Sequence, residues 1–290
     1  MNIQIVTDDW NQYSLLDSGN GRKLEQFGDR LIIRSEPRAW WQPSLPATEW
    51  SKASAEYVGG EDKGTWDLRN PAMDKFWILN FDKLNVKLKF TPTSKHVGIF
   101  PEQSRHWRFI SDAIKKAGRP VNVLNLFGYT GMGTIVSAEA GAKVTHVDGS
   151  KVAVIWARDN QAESKLLDKP IRWIVDDVLK YVKREVKRGV KYDAIILDPP
   201  AFGRGPQGQV WKIEKELPEL LDLCRELLSD QPLFIILTAY SIDSSSISIA
   251  NLLEDKMKGL GGKVEYGELA LKQKHSERML PLSIFSIWKK

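Results

Sequence analysis

Aspartates follow three of the apolar runs in the second half of the chain, each where a buried strand would end. Asp148 closes the run at 144–147, Asp176 and Asp177 follow 171–175, and Asp198 follows 192–197. Carboxylates at the carboxyl ends of parallel strands accept hydrogen bonds from hydroxyl and amine groups of ligands. The pattern therefore predicts a binding site for a polar organic ligand.

A glycine-rich turn lies between an apolar run at 121–126 and a helical pattern at 134–140. It reads Phe127-Gly128-Tyr129-Thr130-Gly131-Met132-Gly133. Glycines let the backbone turn sharply and bring N–H groups close to a ligand at a helix N-terminus. Asp148 follows Gly128 by twenty residues, where the second strand of such a unit directs a carboxylate to ribose hydroxyls. The order of strand, turn, helix, strand and acid predicts a nucleoside-binding unit.

The segment Asp198-Pro199-Pro200-Ala201-Phe202 helps to distinguish two classes of nucleoside cofactor. The spacing from Gly128 to Asp148 suits a dinucleotide or S-adenosylmethionine, but the turn lacks the Gly-x-Gly-x-x-Gly pattern of pyrophosphate binders. The two prolines have no N–H and stiffen the chain, so the Asp198 carboxylate and nearby carbonyls become fixed acceptors. Such acceptors suit an amine or ring N–H whose nitrogen attacks a methyl group, and Phe202 could stack on a planar base. The alternative is a plain turn with a capping aspartate.

Strand and helix patterns alternate from residue 120 onward, which is typical of a parallel sheet. Two closing strand patterns, at 263–271 and 282–288, have no helix between them and predict an antiparallel hairpin. Residues 1–95 contain six of the eleven tryptophans among short strand-like runs. We predict an α/β fold with a doubly wound Rossmann-like sheet at 96–290. A small, mostly β domain for substrate recognition precedes it at 1–95, with its tryptophans in the core rather than stacked on bases.

Composition limits the class of protein. The chain has 290 residues, 27% charged and 42% hydrophobic, as in a soluble globular protein. No apolar run reaches the roughly 20 residues of a transmembrane helix, and the start lacks a signal-peptide pattern. The single cysteine, Cys224, excludes an internal disulfide and fits the cytoplasm, and the four histidines have no metal-ligand spacing. We expect a cytoplasmic protein without a metal site.

The net charge of +5 falls beyond residue 95, because residues 1–95 hold 13 basic and 13 acidic side chains. A predicted helix at 178–188 and the residues after it concentrate the surplus. The simplest interpretation is a solvated helix face, and the alternative is a patch that attracts RNA phosphates. The basic residues are Lys180, Lys183, Arg184, Lys187, Arg188 and Lys191.

Several motifs together resemble those of the class I S-adenosylmethionine-dependent methyltransferases. Within that class the chain is similar to the large-subunit ribosomal RNA methyltransferase group, which includes the cytosine-5 methyltransferase I and the guanine-7 enzyme. The motifs span 96–240, about half of the chain. They are Gly98-x-Phe100-Pro101-Glu102-Gln103, Leu124-Asn125-Leu126-Phe127-Gly128-Tyr129-Thr130-Gly131, Val147-Asp148-Gly149-Ser150, Asp176-Asp177-Val178 and Asp198-Pro199-Pro200-Ala201-Phe202.

The resemblance implies S-adenosylmethionine as cofactor, S-adenosylhomocysteine as product, and a role for each matching residue. The turn at 127–131 would wrap the methionine moiety, Asp148 would take the ribose hydroxyls, and Asp177 would face the adenine amine. Phe100 and Gln103 would close the pocket from the linker side. We expect catalysis to involve Asp198, Pro199 and Phe202. The expected cofactor-binding residues are Phe100, Gln103, Asn125, Phe127, Gly128, Tyr129, Thr130, Gly131, Asp148, Ser150, Asp176, Asp177, Val178 and Asp198.

The chain departs from this group at two places. Its cytosine-5 members carry a cysteine nucleophile after the strand that corresponds to 235–238, where this chain reads Thr238-Ala239-Tyr240-Ser241. Methylation of a pyrimidine carbon requires a covalent adduct with a thiolate. Cys224 lies in the middle of a predicted helix among leucines, so we expect it to be buried and unreactive. Residues 1–95 also do not match the group's N-terminal RNA-binding module. We predict methyl transfer to a nucleobase nitrogen, with RNA as the expected substrate.

Other functions agree with parts of the sequence. A methyltransferase acting on a small molecule or a protein would have the same cofactor motifs. A non-catalytic RNA-binding module with a vestigial pocket would not be expected to keep Asp148, Asp177 and Asp198. An NAD-dependent dehydrogenase is a third alternative, which a comparison of S-adenosylhomocysteine with NAD binding would test. The sequence leaves the oligomeric state open between monomer and homodimer.

Overall fold

The structure, a computed structural model, describes residues 2–6, 10–60, 63–92, 94–204, 208 and 210–290. The chain forms two compact units. The first comprises Met1–Gln4, Arg105–Glu268 and Ser283–Lys290, and the second comprises Ile5–Ser104 and Leu269–Leu282. The domain boundary expected at 95/96 falls inside the second unit, which also takes up a segment from near the C-terminus.

Helices and strands alternate after residue 120, with bounds close to the predicted ones. The helices are α1 (Ala47–Trp50), α2 (Ser104–Lys116, after a 3-10 turn at Pro101–Gln103), α3 (Met132–Glu139), α4 (Lys151–Glu163), α5 (Val178–Lys187), α6 (Ile213–Leu227) and α7 (Ser246–Lys256). The strands are β1 (Asn2–Val6), β2 (Tyr13–Gly19), β3 (Arg22–Phe27), β4 (Arg30–Ser35), β5 (Ala55–Gly60), β6 (Lys63–Leu68), β7 (Phe76–Phe81), β8 (Leu84–Lys89), β9 (Asn122–Leu126), β10 (Lys143–Asp148), β11 (Ile171–Val175), β12 (Ala194–Leu197), β13 (Phe202–Arg204), β14 (Val210–Lys212), β15 (Phe234–Ala239), β16 (Lys263–Lys272) and β17 (Met279–Lys289).

The largest sheet is doubly wound, with the strand order β1-β16-β17-β15-β12-β9-β10-β11. Strands β15, β12, β9, β10 and β11 run parallel, and β17 runs antiparallel to β15. The chain adds β10 and β11 on one side of β9 and then continues with β12 on the other side. The strand order therefore reverses between β9 and β12. The predicted fold class, including the closing hairpin of β16 and β17, is confirmed.

Helices cover both faces of the parallel strands, because successive side chains point to opposite faces. Leu124 and Leu126 of β9 pack into the apolar core that α5, α6 and α7 complete. On the opposite face, the buried Asn125 donates a hydrogen bond from Nδ2 to Thr134 Oγ1 of α3 over 2.9 Å. Strands β12 and β15 are buried along their whole length, as is typical of central parallel strands.

The second unit contains the β-rich N-terminal region that the sequence predicts. A five-stranded sheet has the order β2-β3-β4-β5-β6, and β7 and β8 form a separate antiparallel pair. Trp10, Trp50 and Trp77 belong to its core, with exposed fractions of 5%, 7% and 7%. Trp40 differs, because 89% of its surface is exposed. Three of the six tryptophans of residues 1–95 are thus core residues.

The five-stranded sheet also buries charged side chains. Glu25 of β3 is fully buried and accepts hydrogen bonds from Arg34 Nε over 2.6 Å, from Arg34 Nη2 over 2.7 Å and from the Tyr13 hydroxyl over 2.7 Å. Burial alone would raise the pKa of Glu25, but Arg34 and Lys23 outweigh it and lower the pKa to about 2. Glu25 therefore remains charged inside the unit.

The segment Leu269–Leu282 is tied to β2 of the same unit. Ser18 Oγ donates to Gln273 Oε1 over 2.6 Å, and Gln273 Nε2 donates to Asp17 Oδ1 over 3.2 Å. All three side chains are buried. Because each satisfies polar groups of the others, the segment is an integral part of the second unit.

Candidate functional site

The predicted site residues of the first unit lie along the carboxyl edge of the parallel sheet. In-register pairing of β12, β9 and β10 places Asp198, Phe127 and Asp148 in one row, and Asp176 and Asp177 follow the neighbouring β11. Adjacent strands are about 4.8 Å apart, so Asp148 and Asp198 are separated by about 10 Å at the backbone. Open α/β sheets bind ligands at this edge, where the strand order reverses. The topology therefore brings these predicted residues together.

Asp148 is held by backbone N–H groups from both sides. Tyr129 N donates to Oδ2 over 2.8 Å, and Ser150 N donates to Oδ1 over 2.7 Å. Burial raises the pKa of Asp148, and the bonds from Ser150 and Tyr129 offset only part of that rise. Each carboxylate oxygen has a second lone pair, so the side chain can also accept bonds from two neighbouring hydroxyl groups of a ligand.

The glycine-rich turn packs closely against His146 and Ala157. A Cβ at Gly128 would lie 2.4 Å from Cε1 of His146, and one at Gly131 would lie 2.8 Å from Cβ of Ala157. Phe127 and Tyr129 have backbone φ values of 56° and 47°, which residues other than glycine seldom adopt. Left-handed backbone of this kind is concentrated at ligand-binding sites. The turn therefore presents backbone at close range to whatever lies above the sheet edge.

Buried polar side chains that no sequence motif indicates support this turn. Thr134 Oγ1 accepts from Asn125 and lies 2.8 Å from His146 Nδ1, to which its hydroxyl can donate. Burial lowers the pKa of His146 to about 3, so the imidazole is neutral at pH 7. Asn160 of α4, also fully buried, donates from Nδ2 to Thr130 O over 2.8 Å. In the sequence, Thr134, His146 and Asn160 are distinguished only as polar residues within an otherwise apolar strand or helix.

The turn after β12 is held by the β13–β14 hairpin. Trp211 Nε1 donates to Pro200 O over 2.7 Å, and Ile213 N donates to Ala201 O over 3.1 Å. The Trp211 ring also packs against Phe127, with ring centroids 4.9 Å apart. Trp211 thus connects the two turns that flank the reversal of strand order.

Phe202 begins β13 and leaves 54% of its surface exposed. Pro199 is buried, while Asp198 is partly buried at the end of β12. The sequence predicts a loop at 203–208, of which 205–207 lie outside the described residues. The structure shows that part of this stretch is strand, since Phe202 pairs with Lys212 and Gly203 with Trp211.

The two acids after β11 shape the start of α5. Asp177 caps the helix, since its Oδ1 accepts from Lys180 N over 2.9 Å. Asp176 Oδ1 accepts from Asp177 N over 2.8 Å, and the carboxylate also pairs with Arg184. Val178 is buried in the first turn. The helix N-terminus, with its partial positive charge, therefore lies at the same sheet edge.

Two predicted cofactor residues belong to the second unit. Phe100 precedes the 3-10 turn, and Gln103 is its last residue. The Phe100 ring lies 5.0 Å from the ring of His96, centroid to centroid. Their contact with a cofactor stays a prediction.

The basic residues around α5 have acidic neighbours. Lys183 Nζ lies 2.7 Å from Glu219 Oε1, and Arg188 Nη1 lies 2.8 Å from Glu185 Oε1. Arg184 pairs with Asp176, so Lys183, Arg184 and Arg188 each form an ion pair with a carboxylate. These contacts favour the interpretation of a solvated helix face, and contact with RNA phosphates stays a prediction.

The structure bears on the cysteine, on possible metal ligands and on membrane-spanning helices. Cys224 is fully buried in α6, and burial raises the pKa of its thiol, so it is a neutral core residue as predicted. Where side chains are described, no group of three or more His, Cys, Asp or Glu could hold a metal ion. None of the described helices combines the length and apolar character needed to cross a membrane.

Solved structures share this fold over most of the chain. The SAM-dependent methyltransferase from Agrobacterium tumefaciens is 44% identical, with a TM-score of 0.97, and the match covers 100% of this chain and 93% of that one. SMU.776, a protein solved in complex with SAH, is 19% identical with a TM-score of 0.66, and the match covers 96% of this chain and 75% of that one. At that identity the second similarity shows the fold alone.

Sequence relatives match a shorter region, and no family model matches the chain. Ribosomal RNA large subunit methyltransferase K/L of Shewanella frigidimarina is 36% identical over 110 residues, which is 37% of this chain and 15% of that protein. The chain thus matches only a small part of the length of these curated relatives. The similarity to the Agrobacterium enzyme, in contrast, extends over nearly the whole of both chains. The chain belongs to the class I S-adenosylmethionine-dependent methyltransferases.

Proposed function

We propose that this methyltransferase acts on a nucleobase nitrogen in RNA, with ribosomal RNA as its substrate class. One observation carries the proposal: the turn from Asp198 to Phe202 lies beside Phe127, where the strand order reverses, and across β9 from Asp148. A cofactor held at Asp148 and an acceptor held at Asp198 would meet above β9. S-adenosylmethionine supplies an electrophilic methyl group on a sulfonium, so the protein contributes mainly positioning.

The cofactor half of the site uses residues that the fold already holds in place. Asp148, fixed by two N–H groups, takes the ribose hydroxyls, and the turn at 127–131 lies against the methionine moiety. Asp177 at the start of α5 takes the adenine amine. A role of Phe100 and Gln103 in cofactor binding stays a prediction.

The acceptor half uses the stiff turn after β12. In this proposal, the Asp198 carboxylate and the Pro199 carbonyl accept hydrogen bonds from the amine of the base. The carbonyls of Pro200 and Ala201 already accept hydrogen bonds from Trp211 and Ile213. Holding the N–H groups of the base there directs its nitrogen lone pair toward the methyl group. The exposed Phe202 ring offers a stacking surface for the same base.

RNA is favoured as the substrate by the partial similarity to ribosomal RNA large subunit methyltransferase K/L. Cys224, as a lone thiol, is compatible with the reducing cytoplasm in which we place the reaction. The test is methyl transfer from labelled S-adenosylmethionine to ribosomal RNA from a strain that lacks the gene. We expect one modified nucleoside, located by mass spectrometry, to carry its methyl on nitrogen. Label found only in protein or in small metabolites would contradict the proposal.

Replacing Asp148 with asparagine should weaken S-adenosylhomocysteine binding by about 1.5–3 kcal/mol, because hydrogen bonds to a charged acceptor are lost. The wild-type affinity should itself fall on acidification. Protonation removes the charge and one acceptor, and the raised pKa of Asp148 makes this loss begin at a higher pH than for an ordinary aspartate. Calorimetry over a pH series measures both effects.

The pH series has an internal control. Asp148→Asn should show a flat affinity through the range in which the wild-type affinity declines, whereas Asp168→Asn, at an exposed position, should follow the wild-type curve. Equal affinities for wild type and Asp148→Asn would remove Asp148 from the cofactor site.

Cys224→Ala should leave turnover within about twofold, since a buried neutral thiol cannot act as a nucleophile. Single-turnover kinetics with ribosomal RNA as substrate would measure it. A covalent complex with RNA containing 5-fluorocytosine, present in wild type and lost in Cys224→Ala, would instead show carbon methylation through an enzyme adduct.

A further inference from the structure

Strands β7 and β8 have one core face and one outward face. Trp77, Leu79 and Phe81 of β7 are buried, with exposed fractions of 7%, 0% and 3%. The alternate residues Phe76 and Ile78 are exposed by 53% and 38%. On β8 the alternate side chains, beginning with Asn85, are only partly buried.

The outward side chains form three cross-strand pairs. Phe76 lies opposite Lys89, and Ile78 lies opposite Lys87. Asn80 lies opposite Asn85, and their side chains are hydrogen-bonded. We call these six residues the β7–β8 face: Phe76, Ile78, Asn80, Asn85, Lys87 and Lys89. The charged members of the face are Lys87 and Lys89.

Phe76 differs from the tryptophans of this unit that form its core. Trp10, Trp50 and Trp77 are buried and have no ring face to offer a ligand. Phe76 is more than half exposed, and Lys87 Nζ lies 5.0 Å from its ring centroid. An exposed ring next to cations is the combination that binds single-stranded nucleic acid, because bases stack on the ring and phosphates pair with the cations.

We propose that the β7–β8 face binds a single-stranded segment of the RNA substrate. One base stacks on Phe76, and Lys87 and Lys89 contact the phosphates beside it. Charge complementarity selects a polyanion, and the accessible planar ring selects nucleic acid over an acidic protein segment. This inference rests on RNA being the substrate of the methyltransferase.

The test measures binding of a short, unstructured, fluorescently labelled RNA to full-length protein by anisotropy. Phe76→Leu, which keeps apolar bulk but removes the ring, should weaken binding by about 5- to 100-fold, whereas Phe76→Trp should retain it. The double variant Lys87→Gln/Lys89→Gln should lower the slope of log affinity against log salt by about 1.4. Lys52→Gln, which removes an exposed cation paired with Glu49, should leave the slope unchanged.

Each variant must unfold at the same urea concentration as wild type, followed by circular dichroism, which shows that it is folded. If wild type, Phe76→Leu and the lysine variant all bind and methylate RNA equally well, the β7–β8 face is not the RNA-binding surface, while the proposed function stands. If wild type neither binds nor methylates RNA, both are wrong. Competition by poly-glutamate as strong as by RNA, with no effect of Phe76→Leu, would assign the face to an acidic protein and overturn the inference.

Discussion

Asp198→Ala should lower the turnover of RNA methylation by about a hundredfold or more while S-adenosylhomocysteine affinity stays within about twofold. The attacking nitrogen must be aligned with the sulfonium methyl group, and misplacement by about 1 Å costs this much in positioned reactions. Asp198 is also among the expected cofactor-binding residues, but it lies on the opposite side of β9 from Asp148, so its loss should leave the contacts of Asp148 with the cofactor in place. Single-turnover kinetics and calorimetry on the same preparation separate the two quantities.

Two further variants make this result specific. Asp198→Asn keeps one acceptor oxygen and should lose less turnover than Asp198→Ala. Phe202→Ala should raise the KM for RNA through about 1–3 kcal/mol of lost stacking and leave kcat nearly unchanged. If Asp198→Ala raised only the KM, the carboxylate would contribute uniform binding rather than alignment.

Arg34→Met should lower the free energy of unfolding by about 3–5 kcal/mol, which is a large part of the stability of an ordinary domain. Arg34 supplies two short hydrogen bonds to the fully buried Glu25, and its removal leaves that charge without its main partner. Urea unfolding followed by circular dichroism measures the change. Glu25→Leu/Arg34→Met should recover most of the loss, because apolar side chains can replace a buried ion pair.

The same pair predicts a pH dependence. The pKa of Glu25 is about 2 in the folded protein, below its ordinary value of 4.5. Its stabilisation is therefore fully present above pH 4.5 and is lost as the pH falls toward 2. In Arg34→Met, burial without the arginine raises that pKa, so the stability gap to wild type should narrow on acidification. Lys52→Gln, which breaks an exposed pair, should change stability by about 0–1 kcal/mol at either pH.

The parallel sheet could be predicted because its strands are local apolar runs. Ile171–Val175 was predicted with the bounds that β11 has in the structure. The row of acids follows from the same property, since parallel strands end at one edge and each acid directly follows its strand. The local sequence pattern was sufficient to predict the position of a residue wherever that position depends only on the strand or helix that contains the residue.

Contacts between distant residues could not be predicted in this way. Asn160 binds the Thr130 carbonyl from a helix 30 positions later, and Trp211 bonds to Pro200 O from a hairpin where a glycine-rich loop was expected. Neither helical nor strand periodicity encodes such pairings. The division at 95/96 rested on composition, which cannot show that Gln273 belongs with Asp17.

The bond between Gln273 and β2 has a consequence for biosynthesis. Domains generally fold from the N-terminus as the ribosome delivers them. Here Asp17 and Ser18 gain their hydrogen bonds to the buried Gln273 only when that residue, 256 and 255 positions later, has been translated. The second unit, most of which is translated before Arg105, is therefore not complete until Leu282 has been translated. A nascent or truncated chain that ends before Leu269 lacks part of the second unit, so its early strands stay open to chaperones and to aggregation until Leu269–Leu282 has been translated.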